Sequence, residues 1–155
     1  MEKHMTLFVD GAARGNPGPA GVAAVLVDDD GREAFIAKEY IGEATNNAAE
    51  YRALMLGLCL ATGVARELSV RSDSELVVRQ VKGEYKVKNV QLKEYVARVM
   101  ALLGQFGKVQ ISSIPREENA RADELANSAI DEFQAGERDE APGAPGRAQE
   151  RLFDV

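Results

Sequence analysis

Residues 45–54, TNNAAEYRAL, predict the start of a helix. Small or apolar residues follow Glu50 at spacings of three and four and form one stripe of that helix: Leu54, Gly57, Leu58 and Ala61. Glu50 therefore lies at the top of a stripe that should face the core, where an unpaired carboxylate is unfavourable. Three other acids, distant in the chain, explain this placement.

The composition is that of a globular protein with one domain. The chain has 155 residues, of which 45% are hydrophobic and 28% charged. Its single cysteine, Cys59, excludes a disulfide framework and a CxxC metal site, and we expect it to be a buried apolar side chain. Neither a signal peptide nor an apolar run of about 18 residues is present. We therefore expect a cytoplasmic protein with no membrane partner, and a monomer.

The charge distribution leaves two interpretations open. A net charge of -6 argues against binding of nucleic acid by bulk charge alone. The segment from Arg79 to Lys93, however, contains five basic residues and one acid. It is either a solvated loop with lysines at helix ends or a local contact for phosphates.

Alternation of apolar and polar residues, turn signals and helical spacing predict nine elements. Strands are predicted at 6–11, 21–27, 34–42, 67–72 and 108–114, with a loop at 12–21 and an acidic hairpin turn at 28–31. Helices are predicted at 46–62, 74–81, 91–106 and 119–133. This order indicates an α/β fold with a five-stranded mixed sheet, three strands antiparallel and two parallel, flanked by helices. Residues 1–133 form the domain, and 134–155, rich in Ala, Gly, Pro and charge, form a flexible tail.

Four acids are predicted to converge at one edge of this sheet. Asp10 ends the first predicted strand and Asp73 follows the fourth, so parallel neighbours would bring both to the carboxyl edge. Glu50 lies in the first predicted turn of its helix on the side facing the sheet, and Asp123 lies at the start of the last helix. Each acid alone is equally consistent with a turn residue, a helix cap or an exposed charge. Their convergence is what predicts a site.

Carboxylates gathered in this way repel one another and raise one another's pKa unless a cation neutralises them. A set of oxygen ligands without His or Cys suits Mg²⁺ or Mn²⁺ better than Zn²⁺. Two such ions about 3.5 to 4 Å apart can activate a water and stabilise the leaving oxygen in phosphodiester hydrolysis.

The motifs around these acids resemble type 1 ribonuclease H (ribonuclease HI). They are DG at 10–11, GNPG at 15–18, TNNAAE at 45–50, SDS at 72–74, PREEN at 115–119 and ADELA at 122–126. The resemblance covers residues 5–133 and implies the ribonuclease H-like fold. It also implies endonucleolytic cleavage of the RNA strand of RNA/DNA hybrids, leaving 3'-hydroxyl and 5'-phosphate ends. By the same resemblance Asp10, Glu50, Asp73 and Asp123 hold two Mg²⁺ or Mn²⁺ ions, with Asp10 bridging both.

Substrate contacts follow from the same resemblance. Asn16, Thr45 and Asn46 match positions that bind the backbone of the hybrid. Because a hybrid carries 2'-hydroxyls on one strand of a wide, shallow minor groove, small donors and acceptors such as Asn46, Asn47 and Ser74 suit its recognition. Asn46 is equally consistent with a helix N-cap, and the two roles do not exclude each other.

The chain departs from the family pattern at the loop before the last helix. Many members carry a histidine there, whereas the only histidine of this chain is His4, which we expect at the surface. The PREEN form resembles a branch without that histidine. We hypothesise that Arg116 or Glu117 takes over part of its role.

A second departure concerns the basic protrusion that many members use to hold the substrate. Here GEYKVKN at 83–89 replaces it, so Lys86, Lys88 and Asn89 are the expected contacts to the DNA strand. Weaker contacts to DNA would permit cleavage of double-stranded RNA as well, and this alternative stays open.

The end of the tail resembles the peptide that binds bacterial sliding clamps, through Gln149, Leu152 and Phe153. A tail that folds back on its own domain is the alternative.

Two other functions are less consistent with the sequence. A silent domain that only binds nucleic acid has no reason to retain four repelling acids, and an ATPase of the actin and sugar-kinase type needs two such domains.

Overall fold

The computed structural model describes residues 2–139 and shows one five-stranded sheet with helices on both faces. The strands are β1 (Glu2–Ala13), β2 (Gly18–Val27), β3 (Glu33–Ala44), β4 (Ala65–Ser72) and β5 (Lys108–Ser113). The helices are α1 (Asn46–Ala61), α2 (Glu75–Val81), α3 (Val90–Leu103) and α4 (Ala120–Asp139), and a short 3₁₀ helix spans Arg116–Asn119. No helix within these residues has the length and apolar character needed to cross a membrane.

The strand order is β3-β2-β1-β4-β5, which confirms the predicted mixed sheet. β1, β2 and β3 are antiparallel neighbours, whereas β4 runs parallel to β1 and β5 runs parallel to β4. The acidic turn at 28–31 joins β2 to β3 as predicted, with Gly31 at a positive φ of 84°. The two parallel connections pass through helices, as parallel strands require.

The main core lies between the sheet and α1. Alternate residues of β1 point to this face, and Met5, Leu7 and Val9 are fully or almost fully buried. The predicted stripe of α1 is confirmed, because the four residues that follow Glu50 at helical spacing are all buried: Leu54, Gly57, Leu58 and Ala61. α3 packs against α1 and buries Val99.

α4 covers the opposite face of the sheet. Its Ala122, Leu125 and Ala126 pack against Ala23 and Val25 of β2. Polar contacts along the helix add to this packing: Arg121 pairs with Glu33, and Lys38 pairs with Glu132. The ring of Phe133 stacks on Tyr40 with centroids 3.8 Å apart.

Several elements are longer in the structure than predicted from the sequence. Ala12 and Ala13 were predicted in a loop but belong to β1, since they pair with Gly21 and Ala20. α4 continues to Asp139 instead of ending at residue 133, so residues 134–139 of the predicted tail are helical. The clamp-like residues of the tail lie outside the described residues, and their role stays a prediction.

One prediction about a single residue is wrong. Cys59 is exposed, because it lies one position beyond the stripe of α1 that faces the sheet. His4 is partly exposed at the surface, as expected, and its ring contacts two neighbours. Its Nδ1 lies 2.6 Å from Asp29 Oδ1 and its Nε2 lies 2.9 Å from Ser69 Oγ.

Candidate active site

A cleft opens at the carboxyl edge of the sheet, where β4 leaves β1. The pairing of these strands ends at Val9 and Ser72, while β1 continues beside β2 to Ala13. Asp10 therefore lies inside its strand and does not end it, contrary to the prediction. It is nevertheless the first residue of β1 beyond the pairing with β4, and Asp73 directly follows β4. The divergence of two parallel strands leaves both carboxylates beside open space.

α1 brings Glu50 to the same place. The helix begins after Thr45, whose Oγ1 accepts a hydrogen bond from the backbone N–H of Ala48 at 3.1 Å. Glu50 is the fifth residue of α1, so it lies just beyond the first turn, in which it was predicted. Its Oε1 accepts a hydrogen bond of 2.7 Å from the backbone N–H of Gly11. Only glycine fits at position 11, because a Cβ there would overlap the main chain of Ala49.

All four predicted acids line one cleft of about 410 Å³. Carboxylate oxygens of Asp10, Glu50 and Asp73 lie within 4.8 Å of one another. Asp123 reaches the cleft from the first turn of α4, on the other face of the sheet. Such a set of oxygen donors fits Mg²⁺ or Mn²⁺.

Burial and like charge act together on these acids. Asp10 is 4% exposed, and burial, followed by the charges of Glu50 and Asp73, raises its pKa to about 10. Burial also raises the pKa of Glu50 to about 7, although the hydrogen bond from Gly11 acts in the opposite direction. Without a bound cation, the cluster therefore holds protons at neutral pH that ordinary carboxylates would have released.

Asp123 is held by two neighbours at the rim of the cleft. Asn127 donates from Nδ2 to the Asp123 carbonyl at 3.0 Å and to its Oδ1 at 3.3 Å. Arg116 Nη2 lies 3.8 Å from Asp123 Oδ1, and its side chain is 80% exposed. Glu117 is exposed and is not among the described residues that line the cleft. Of the two predicted substitutes for the loop histidine, only Arg116 therefore reaches the site.

Asn127 also lines the cleft and was not predicted from the sequence. Its position four residues after Asp123 on one face of α4 was the available signal. Arg14 extends this contact, because its Nη2 lies 3.3 Å from the Asn127 carbonyl and 2.7 Å from Asp131 Oδ1. The connection between β1 and β2 is thus attached to α4 beside the cleft.

The predicted contacts to the hybrid backbone form an exposed rim. The backbone N–H of Asn46 donates to Asn16 Oδ1 at 2.9 Å, and Asn16, Thr45 and Asn46 are all exposed. Asn46 lines the cleft, whereas the N-cap of α1 is Thr45, so the alternative that Asn46 caps the helix is wrong. Asn47 is partly buried and does not line the cleft.

The other predicted contacts lie outside the cleft. Ser74 caps α2 by accepting from Val77 N, and Asn89 caps α3 by accepting from Leu92 N. Lys86 and Lys88 are exposed on the connection between α2 and α3.

Comparison with known proteins agrees with this geometry. The family described as reverse transcriptase-like matches residues 8–129. Ribonuclease HI of Halobacterium salinarum is 42% identical over 126 residues, which cover 81% of this chain and 63% of that protein. The structure of LC11-RNase H1 in complex with an RNA/DNA hybrid is 46% identical and has a TM-score of 0.79, over 84% of this chain and 99% of that chain. This chain belongs to the ribonuclease H family.

Membership in the ribonuclease H family confirms the resemblance inferred from the motifs, and the fold is the ribonuclease H fold. The bifunctional protein Rv2228c of Mycobacterium tuberculosis is 43% identical over 129 residues, which cover 82% of this chain. The chain spans 35% of the length of Rv2228c and 63% of that of the Halobacterium protein. The solved N-terminal RNase H domain of Rv2228c is 41% identical with a TM-score of 0.82, over 87% of this chain and 99% of that chain.

Without divalent ions, we expect Asp10→Asn to raise the free energy of unfolding, and more at pH 8 than at pH 5. The pKa of Asp10 is raised from 3.8 to about 10, so the folded protein retains a proton that the unfolded chain releases above pH 3.8. Stability of the wild type therefore falls as pH rises through this range, and the substitution removes that loss. Urea denaturation at both pH values with a chelator measures the difference.

Asp30→Asn, in the exposed turn at 28–31, is the control and should show no such dependence on pH. Added Mg²⁺ should stabilise the wild type at pH 8 and leave Asp10→Asn nearly unchanged. If Asp10→Asn increased the free energy of unfolding by the same amount at both pH values, the raised pKa of Asp10 would not be the cause.

Proposed function

We propose that the protein is an endonuclease that hydrolyses the RNA strand of RNA/DNA hybrids and leaves 3'-hydroxyl and 5'-phosphate ends. One observation carries the proposal: carboxylates of Asp10, Glu50 and Asp73 converge within 4.8 Å in a chain of the ribonuclease H family. LC11-RNase H1, which is similar over 99% of its length, was solved with a hybrid bound.

Asp10, Glu50, Asp73 and Asp123 would hold two divalent cations, Mg²⁺ or Mn²⁺. When bound, these ions offset the repulsion among the acids, activate a water and stabilise the leaving oxygen of the phosphodiester. The rest of the chain keeps the acids in place for this chemistry. Gly11 holds the carboxylate of Glu50 and Asn127 holds that of Asp123 through the hydrogen bonds described above.

The exposed rim of Asn16, Thr45 and Asn46 would receive the backbone of the hybrid beside the cleft. Amide and hydroxyl groups can bond 2'-hydroxyls and phosphate oxygens, and they do so without the long reach of lysine or arginine. Asn47 and Ser74 extend this set of small polar residues. The net charge of -6 requires that attraction for phosphates be local, and exposed Lys86 and Lys88, with Asn89, would supply it.

The proposed reaction predicts cleavage of the RNA strand of a labelled hybrid with Mg²⁺ or Mn²⁺ and none with a chelator. Asp10→Asn, Glu50→Gln and Asp73→Asn should each lower the rate by about 10²-fold or more, because each removes a charge from the metal site. Gel analysis of end-labelled strands measures rate and product ends.

Glu94→Gln, a matched change in an exposed ion pair of α3, should retain the rate of the wild type. RNA and DNA duplexes of the same sequence serve as competing substrates. Cleavage of the RNA duplex at the same rate as the hybrid would show a relaxed nuclease. Binding of the hybrid without cleavage in either metal would show a binding domain and refute the proposal.

Combining Lys86→Ala with Lys88→Ala should weaken binding of the hybrid and flatten its dependence on salt. Each phosphate contact contributes about one unit to the slope of log K against log salt, so a loss of about two units is expected. Fluorescence anisotropy of a labelled hybrid from low to high salt measures the slope. Lys108 is an exposed lysine at the start of β5, the end away from the cleft, and Lys108→Ala should leave the slope unchanged. An unchanged slope in the double variant would exclude these lysines as contacts.

Arg116→Ala should reduce turnover by about tenfold, within the range of one acid–base or charged contact. Arg116 is positioned 3.8 Å from Asp123, and its charge lowers the pKa of Glu50 in opposition to burial. Its loss removes a positive charge that repels divalent cations from the acids, so the Mg²⁺ concentration needed for half-maximal rate should fall. Arg116→Lys keeps the charge and should recover part of the rate. If Arg116→Ala retains both turnover and metal dependence, the hypothesis for this residue is wrong.

A further inference from the structure

Asn119 connects the start of α4 to the strand that carries Asp10. The residue is 1% exposed and lies at the end of the 3₁₀ helix, directly before α4. Its Nδ2 donates a hydrogen bond of 2.9 Å to the backbone carbonyl of Val9. Val9 immediately precedes Asp10 and is the last residue of β1 that pairs with β4. Asn119 thus contacts β1 at the point where the cleft opens.

Asp10 is consequently held through the main chain on both of its sides. The carbonyl before it accepts from Asn119, and the N–H after it, that of Gly11, donates to Glu50 at 2.7 Å. Hydrogen bonds are directional, so the two contacts restrict rotation of the short segment from which the Asp10 side chain projects. The buried contacts of α4 with the sheet are apolar and not directional, and its ion pairs with Glu33 and Lys38 reach β3 and not β1, so these contacts do not set the orientation.

The same contact sets Asp10 relative to Asp123. Asp123 lies four residues after Asn119, in the first turn of α4. Any shift of the start of α4 along β1 would therefore move Asp123 with respect to Asp10 and stretch the hydrogen bond to Val9. Mg²⁺ demands nearly ideal octahedral geometry, so small shifts of its ligands weaken binding.

Burial of Asn119 is unfavourable to stability in one respect. Its Oδ1 is buried and has no hydrogen-bond partner among the residues that the structure describes. A buried acceptor left without a partner loses its hydration and gains nothing in return. An apolar side chain of similar size would fill the same space without this loss, but it would leave the Val9 carbonyl without its donor. The hydrogen bond, and not packing, therefore accounts for an asparagine here.

We propose that Asn119 is a positioning residue, which orients the segment of Asp10 and sets its distance from Asp123 so that the four acids bind divalent cations. This inference rests on the proposed function of the cleft. Asn119 acts through Val9 and touches neither substrate nor metal.

The test is Asn119→Leu, which preserves size and removes both the donor and the unpartnered acceptor. Mn²⁺ is the probe, and its affinity is measured by isothermal titration calorimetry. We expect Mn²⁺ affinity to fall by about tenfold or more, as when a residue that orients a metal ligand is lost. The midpoint of thermal unfolding should change little, because loss of the donor to the Val9 carbonyl and removal of the unpartnered Oδ1 act in opposite directions. Cleavage of the hybrid should fall in parallel and recover in part at high Mn²⁺ concentration.

A purely structural role predicts the opposite pattern: a lower unfolding midpoint with Mn²⁺ affinity unchanged, which would overturn the inference. Val99→Ala is the control, because it removes packing from a fully buried position of α3. It should lower the unfolding midpoint and leave Mn²⁺ affinity unchanged. These two variants separate loss of stability from loss of positioning.

Failure of the proposed function can be distinguished from failure of the inference about Asn119. A wild type that binds Mn²⁺ but cleaves no hybrid refutes the function, and the effect of Asn119→Leu on Mn²⁺ affinity still decides the inference. A wild type that does not bind Mn²⁺ overturns both.

If Asn119→Leu does not fold, nuclear magnetic resonance of the ¹⁵N-labelled wild type replaces it. The side-chain amide of Asn119 and the backbone amide of Gly11 should then shift at the same Mg²⁺ concentration, and no shift at Asn119 would overturn the inference.

Discussion

Asp10 is 4% exposed, and its carboxylate oxygens lie within 4.8 Å of those of Glu50 and Asp73. Three like charges at this separation in a partly dehydrated cleft repel one another strongly, because water screens them poorly there. The positive side chain at the cleft is that of Arg116, which is 80% exposed and faces Asp123 from 3.8 Å. Either bound cations or the uptake of protons by the acids would reduce this repulsion.

The remainder of the fold keeps these acids together against their repulsion. Three elements and the turn after β4 carry them, and hydrogen bonds hold the chain near three of the four acids. Glu50 is bonded to Gly11, Asn127 to Asp123, and Asn119 to Val9. The glycine at position 11 permits the approach of α1 to β1 that the first of these contacts requires. Repulsion among the acids destabilises the fold, and burial of the facing side chains of β1 and α1 in the apolar core beneath the cleft stabilises it.

The surface around the cleft differs from that of proteins that bind nucleic acid by charge. The chain carries a net charge of -6, and the residues at the rim are amides and a hydroxyl. In the proposed function, such groups would recognise the spacing of sugar and phosphate groups along the duplex, which differs between hybrids and other duplexes. The exposed lysines on the connection between α2 and α3 would contribute from one side. Arg79 of that basic segment is already paired with Glu75 and Glu84 within the chain.

The sequence by itself determined the order and type of the elements, the mixed sheet and the four acids, because helix spacing, strand alternation and motif residues are local properties. Tertiary structure decided what depends on segments distant in the chain. Pairing with β2 extended β1 to Ala13, and α4, whose Phe133 stacks on Tyr40 of β3, continues to Asp139. Exposure of Cys59 followed from which sides of α1 became covered. The contact of Asn119 with Val9 joins residues 110 positions apart, and no local pattern encodes it, since it exists only once the sheet and α4 have packed.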